Sequence, residues 1–129
     1  MKLADLISTP PEMCGSDITM AQAAAEMVSA GVGSMGVIDE GKFAGIVTER
    51  DVLEAVAKGL DVDSEPVRCC MTRSPDVFSP DTDVYQAAEY LLETGYRHLP
   101  VVEDELVGIL SIRDVLVGIV DPGRIVEPR

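Results

Sequence analysis

Apolar residues recur along the chain at helical spacing in two places. Around residues 20–28 and again around residues 84–92, apolar side chains occupy positions i, i+3, i+4, i+7 and i+8, which share one helical face. A suitable N-cap and a terminating glycine bound each stretch: Thr19 and Gly31 for the first, Asp83 and Gly95 for the second. We therefore expect an amphipathic helix at each place.

Two short apolar runs follow each predicted helix, and the polar or glycine-containing turn within each pair predicts a β-hairpin. The runs are 35–38 with 43–47, and 99–102 with 106–110. A second helix is expected after each hairpin, at 49–58 and 112–120, and a short extended piece before each first helix, near 13–14 and 77–78. Each unit is therefore predicted as β-α-β-β-α.

The two units are copies of one repeat. At an offset of 64, seven positions between Pro11 and Val37 are identical to their counterparts, and at an offset of 63, six more between Gly45 and Leu53 are identical. We predict repeats at 1–60 and 71–120, a linker at 61–70 and a tail at 121–129. One copy is too small to bury a sheet on both faces. The predicted fold class is therefore α/β (α+β), two repeats packed with pseudo-two-fold symmetry, each with a mixed three-stranded sheet and two helices.

Composition and charge narrow the possible functions. The chain has 129 residues, 47% of them hydrophobic, and 10 basic against 23 acidic residues give a net charge of −13. This balance argues against nucleic-acid binding, which needs a basic surface. No apolar run reaches the roughly 20 residues that span a bilayer, and the N-terminus lacks the pattern of a signal peptide. We expect a cytoplasmic protein that does not enter a membrane.

The last predicted helix indicates a second chain. Residues 115–120 are apolar on every side, whereas a helix at the surface of a monomer has a polar face. We therefore expect a homodimer that covers part of this helix.

Motifs for catalysis are missing from the sequence. A GxGxxG match at 31–36 follows a predicted helix and opens a strand, the reverse of a dinucleotide site. His98 is the single histidine and has no nucleophile at a recognisable spacing, and the three cysteines do not form a metal-binding pattern. We expect no enzymatic activity, no catalytic residues and no metal site.

The informative motif lies where each hairpin enters its second helix. Thr48 and Asp51 in the first copy, and Ser111 and Asp114 in the second, have the spacing of a capping box, which needs no ligand. The same turn places backbone N–H groups, a hydroxyl and a carboxylate at the positive end of a helix, where a phosphate and a ribose diol could bind. Both interpretations remain open at this point.

Taken together, the tandem GI(V/L)(T/S)xRD turns, each preceded by a helix, a glycine and a short apolar strand pair, resemble a pair of cystathionine-β-synthase (CBS) domains, a Bateman module, over about residues 1–120. The resemblance implies a stand-alone regulatory module that binds AMP, ADP, ATP or S-adenosylmethionine in the cleft between the repeats, requires no cofactor, catalyses nothing and modulates a separate effector protein. The alternative is a ligand-free structural or dimerisation module whose turns only cap helices.

The resemblance also implies site residues. Asp51 and Asp114 match the ribose-binding aspartate, and Thr48 and Ser111 match the neighbouring hydroxyl. The other matches are to residues lining the base slot, meeting phosphates or holding adenine: Ile46, Ile109, Arg97, His98, Ser8 and Thr72. Arg113, one residue before Asp114, is a further candidate with two open interpretations, a solvent-exposed side chain or a phosphate contact.

The first copy departs from the family pattern. Gly33 and Ser34 stand where the second copy has Arg97 and His98, so a phosphate beside Asp51 would meet Ser34 and backbone. We expect one nucleotide to bind more tightly, at the Asp114 site. The net charge of −13 favours AMP, ADP or S-adenosylmethionine over free ATP, because an acidic protein repels a triphosphate at long range.

Overall fold

The computed structural model describes residues 1–123, and these form two compact units. One unit consists of residues 12–75, and we call it the Asp51 unit. The other combines residues 1–11 with the described residues from 76 onward, and we call it the Asp114 unit. From position 124, the predicted tail lies outside the described residues.

The Asp51 unit is built around a four-stranded sheet. Its elements are β1 (Met13–Gly15), α1 (Met20–Ala30), β2 (Ser34–Asp39), β3 (Lys42–Thr48), α2 (Glu49–Ala57), a 3-10 turn (Val67–Cys69) and β4 (Thr72–Arg73). The strand order is β1-β2-β3-β4, with β1 parallel to β2 and the other pairs antiparallel. Thr19 caps α1 in a capping box with Gln22, and Gly31 ends it in the left-handed conformation with φ 70°. These are the predicted cap and terminator.

The Asp114 unit repeats most of this arrangement. Its elements are a 3-10 turn (Leu3–Leu6), α3 (Val84–Thr94), β5 (His98–Glu103), β6 (Glu105–Ser111) and α4 (Ile112–Val120). The strands β5 and β6 pair antiparallel, and Phe78 forms an isolated parallel bridge with Val101. Asp83 caps α3 by accepting a hydrogen bond from the Tyr85 amide, and Gly95 ends the helix with φ 74°.

Each unit has its own apolar core between helices and sheet. In the Asp51 unit, the core includes Met20, Met35, Val37, Val47 and Val67. In the Asp114 unit, it includes Leu3, Val84, Leu99, Val101 and Val115. Among residues 1–123, none of the helices combines the length and apolar character needed to cross a bilayer.

The mixed α/β fold class is confirmed, and the β-α-β-β-α order of elements is present in the Asp51 unit. The predicted strand at 77–78 is a single bridge, and the prediction of two three-stranded sheets is wrong. One sheet gains a fourth strand because Thr72–Arg73 pairs with β3 at Gly45 and Ile46. The other sheet has two strands, because the predicted extended piece at 77–78 contributes only a single bridge at Phe78. The conformation of such short extended segments depends on the sheet edge against which they pack, and hydrophobic periodicity along the sequence does not specify that edge.

We call residues 1–11 and 67–75 the lead-ins of the first and second repeats, and each packs in the unit of the other repeat. Leu3, at the start of the first repeat, is fully buried in the Asp114 unit, and Val67, within the predicted linker, is fully buried in the Asp51 unit. The two residues are 64 positions apart and both lie in 3-10 turns. The predicted boundaries at 1–60 and 71–120 describe the duplication of the sequence and stay a prediction.

Candidate functional site

The Asp51 unit holds a carboxylate at the start of α2. The Thr48 amide donates to Asp51 Oδ2 at 2.8 Å, and the Asp51 amide donates to Thr48 Oγ1 at 3.3 Å. The Thr48 hydroxyl lies 3.2 Å from the same Oδ2. Within the part of the chain that the structure describes, these contacts all engage Oδ2, so Oδ1 can accept a hydrogen bond from a ligand hydroxyl.

Burial dominates the electrostatics of Asp51. Desolvation raises the pKa of this carboxyl above its ordinary value of 3.8, the hydrogen bonds from Thr48 lower it, and the nearby Glu54 carboxylate raises it. A charged oxygen that has lost part of its hydration gains from a hydroxyl donor that replaces the lost water. Asp51 is therefore suited to bind a diol.

The sheet brings further candidates close to Asp51. Ser34 is the register partner of Thr48, and Ile46 is the register partner of Thr72. The half-site beside Asp51, which we call the Asp51 half-site, therefore comprises Ser34, Ile46, Thr48, Asp51 and Thr72.

Two residues missed by sequence reasoning, Gly45 and Met71, directly precede Ile46 and Thr72 of this half-site. A Cβ on Gly45 would lie 2.5 Å from the Thr72 carbonyl oxygen and 3.1 Å from the Met71 sulfur. Glycine is therefore required for β4 to approach β3 this closely. The repeat contained the signal, since Gly45 and Gly108 are identical counterparts, and a Cβ on Gly108 would meet the Ile7 side chain at 3.1 Å.

The Asp114 unit builds the corresponding turn at α4. The Ser111 amide donates to Asp114 Oδ2 at 2.9 Å, and the Asp114 amide donates to Ser111 Oγ at 3.2 Å. The Asp114 residue is 3% exposed, which is exceptional for an aspartate. The predicted capping boxes are thus present in both copies.

Strand pairing places the other Asp114-unit candidates around this turn. His98 is the register partner of Ser111, and Ile109 lies two residues before Ser111 on β6. The Arg97 carbonyl accepts a hydrogen bond from the first α4 amide at 2.8 Å, and the Arg97 side chain is exposed. We call the set comprising Arg97, His98, Ile109, Ser111 and Asp114 the Asp114 half-site.

Two candidates lie at the margin of the Asp114 half-site. Arg113 is exposed on the first turn of α4 beside Asp114. Ser8 is exposed and placed only through its neighbour Ile7, which packs against Gly108. Within the described part of the chain, Arg113 and Ser8 are therefore placed near the half-site by their sequence neighbours and not by a side-chain hydrogen bond or strand pairing of their own. No group of three or more histidine, cysteine or acidic side chains among residues 1–123 could hold a metal ion.

The profile of the CBS domain family matches the chain twice, at residues 3–58 and 67–121. The chain belongs to the CBS domain family.

Curated relatives extend the match over most of the chain. An uncharacterized 17.7 kDa protein of Acidianus ambivalens is 37% identical over 123 residues, covering 93% of this chain and 74% of that protein. The mitochondrial CBS domain-containing protein CBSX3 of Arabidopsis thaliana is 32% identical over 86% of this chain, and the A-adding tRNA nucleotidyltransferase of Aquifex aeolicus is 32% identical over 90%. The chain spans 57% and 14% of the lengths of these two proteins.

Solved structures of CBS proteins share the fold. The CBS domain protein PAE2072 from Pyrobaculum aerophilum, complexed with AMP, has a TM-score of 0.78 and 34% identity, covering 88% of this chain and 89% of that one. The CBS domain pair of MJ0100, in complex with 5′-methylthioadenosine and S-adenosyl-L-methionine, has a TM-score of 0.81 and 27% identity, covering 90% and 97%. Two solved relatives thus carry adenosine-containing ligands.

Proposed function

We propose that this protein is a regulatory module that senses an adenosine-containing ligand: AMP, ADP, ATP or S-adenosylmethionine. The observation that carries the proposal is the duplicated turn in which a hydroxyl and a carboxylate, Thr48 with Asp51 and Ser111 with Asp114, are held at the start of a helix. The ligands of PAE2072 and of MJ0100 support the same class of ligand.

Each half-site offers groups for a different part of the ligand. The aspartates accept from the ribose hydroxyls, and Thr48 and Ser111 contact ribose or phosphate. Apolar contacts to the base come from Ile46 and Ile109, with backbone and hydroxyl groups of the lead-ins beside them. The residues proposed for adenine and phosphate are Thr72, Ser8, Ser34, Arg97, His98 and Arg113.

Melting scans test the proposal directly. A ligand that binds the folded chain raises its melting temperature by mass action, so AMP, ADP, ATP and S-adenosylmethionine are scanned separately. At least one should raise the midpoint, and a variant carrying both Asp51→Asn and Asp114→Asn should lose most of that rise. No shift with any of the four would instead support the alternative, a ligand-free structural module whose turns only cap helices.

The mechanism we propose is a population shift. A ligand favours one conformation of the module, and an unidentified effector protein binds the two conformations with different affinity. The module itself catalyses nothing, and we place it in the cytoplasm, without nucleic acid or membrane among its partners.

We further propose a homodimer. Each unit exposes apolar side chains at counterpart positions of its helices, with Val28 on α1 and Leu92 on α3 both 82% exposed, and Leu53 on α2 and Leu116 on α4 at 68% and 51%. A second copy that packs on these helices would remove them from water. Light scattering should give twice the chain mass, and a double Val28→Glu, Leu92→Glu variant should be monomeric.

A further inference from the structure

The first residues of α2 and α4, which we call the helix entrances, make equivalent backbone hydrogen bonds in the two half-sites. In the Asp51 unit, the Gly33 carbonyl accepts from the Glu49 amide at 2.9 Å, and in the Asp114 unit, the Arg97 carbonyl accepts from the Ile112 amide at 2.8 Å. Glu49 and Ile112 each begin the helix. The backbone at these positions is therefore equivalent, and the side chains can be compared directly.

The side chains at these equivalent positions carry different charges. Gly33 and Glu49 in one unit correspond to Arg97 and Ile112 in the other, and Glu54 corresponds to Val117 one turn further along. With the shared arginine and aspartate of each turn, the Asp51 entrance has one cation and three acids, and the Asp114 entrance has two cations and one acid. The local net charges are therefore −2 and +1 with His98 neutral.

The basic side chains of the Asp51 unit do not offset this difference. Three of the five pair with carboxylates: Arg50 with Glu54, Arg68 with Asp17 and Arg73 with Asp39.

The remaining two lie far along their elements from Asp51. Lys42 begins β3, at the opposite end from Thr48, and Lys58 follows the last turn of α2. Arg50, next to Asp51, and Arg73, next to Thr72, are each already paired with a carboxylate, so a phosphate at the Asp51 half-site would meet a net negative charge from residues 12–75.

The Asp51 half-site nevertheless keeps positions for a base and a ribose. Asp51 keeps its capping geometry and an available Oδ1, and the close approach of the two strands at Gly45 lets Thr72 pair with Ile46. What the Asp51 half-site lacks, compared with its counterpart, is the charge that a phosphate needs.

We propose that the Asp51 half-site binds a nucleoside without a phosphate, neutral or cationic at its 5′ substituent, while the Asp114 half-site binds a nucleoside 5′-phosphate. The inference rests on the proposed function and assigns a ligand class to each half-site. A module built this way responds to two chemically distinct signals, a phosphorylated and an unphosphorylated adenosine.

The test uses the wild-type chain with ¹³C-labelled methionine methyl groups. The Met71 side chain packs on the core of the Asp51 unit beside Gly45, so its methyl resonance, assigned with Met71→Leu, reports changes in that unit. Adenosine and AMP are titrated separately. We expect adenosine to shift the Met71 resonance with an affinity about tenfold higher than that of AMP, because a dianion meets the local negative charge.

A variant with exchanged charges sharpens the test. Gly33 does not have a positive φ, so Gly33→Arg is compatible with the backbone, and the exposed Glu49 tolerates Glu49→Gln. The double variant should reverse the Met71 preference toward AMP. The matched control, Arg97→Gly, should weaken AMP binding in calorimetry and leave the Met71 response to adenosine unchanged.

The outcomes separate this inference from the proposed function. If Met71 responds to AMP as strongly as to adenosine, or to neither while AMP still raises the melting temperature, the assignment of ligand classes is wrong and the proposed function stands. If neither compound changes Met71 or the melting temperature, and S-adenosylmethionine, ADP and ATP also fail, the proposed function is wrong and the inference fails with it.

Discussion

The two units share the capped helix start that forms each half-site and differ in the charged side chains beside it. Both close the helix entrance with the same capping box, so the carboxylate that would hold a ribose is present twice. At the same backbone positions, one unit has Gly33 and Glu49 where the other has Arg97 and Ile112. The comparison teaches that duplication preserves what the helix cap requires, since losing it costs stability. The side chains at positions 33, 49, 97 and 112 are not part of the caps, so they can differ between the units and determine which ligand binds.

The largest effect should come from the buried lead-ins, which are counterparts in the two cores. Leu3→Ala removes a fully buried side chain from the Asp114 unit and should cost about 2–5 kcal/mol, while Val67→Ala in the Asp51 unit should cost about 2 kcal/mol. Urea unfolding measures both. Because each lead-in packs in the unit of the other repeat, Leu3→Ala should weaken ligand binding at the Asp114 half-site.

Met71 provides the control for this prediction. Its methyl resonance should report a folded Asp51 unit in Leu3→Ala at moderate urea concentrations. If Leu3→Ala perturbs Met71 before any Asp114-unit signal, the assignment of the lead-in to the Asp114 unit would be contradicted.

The helix caps should give a smaller and nearly equal effect. Thr48→Ala and Ser111→Ala each remove a side-chain acceptor from the first turn of their helices and should each cost about 1 kcal/mol. Thr19→Ala, which removes the same kind of cap from α1 outside both half-sites, serves as the matched control.

The caps also separate stability from binding. All three variants should lower the urea midpoint, but only Thr48→Ala and Ser111→Ala should also reduce ligand affinity in calorimetry. Equal affinities in all three variants would mean that the two hydroxyls serve as caps alone.

The smallest effect is the pH dependence that Asp51 contributes. Its folded pKa lies above the ordinary value of 3.8, so the folded chain binds more protons than the unfolded chain between the two values. Asp51 should therefore make the free energy of unfolding fall as pH rises through this window. Urea unfolding from about pH 4 to 6 should show this slope as a difference between the wild type and Asp51→Asn. If the free energy of unfolding of the wild type instead rises with pH relative to that of Asp51→Asn, the burial of this carboxylate would be contradicted.

Local signals in the sequence predicted most of the fold. Thr19, Gly31, Asp83 and Gly95 bound the first helix of each repeat where expected, because caps and left-handed terminators are determined by residues in immediate sequence. The hairpins followed from apolar runs of strand length. The capping boxes at both helix entrances were likewise predictable from their spacing, and they are the centre of each half-site.

Long-range pairing was not predictable from the same signals. Thr72 lies in the second repeat by sequence but pairs with Ile46 of the first, and Ile7 packs against Gly108 of the second. Periodicity determines which face of an element is buried, whereas the edge on which a two-residue strand lies depends on contacts between distant segments. The proximity of Met71 to the Asp51 half-site was missed for the same reason.

Calorimetric titration of the wild-type chain with AMP tests the difference between the half-sites most directly. We expect two unequal binding steps, the tighter at the Asp114 half-site, and we expect Asp114→Ala to remove the tighter step. Circular dichroism of the variant checks that loss of the α4 cap has not unfolded it. Two equal steps, or a tighter step unchanged in Asp114→Ala, would contradict the proposed difference between the half-sites.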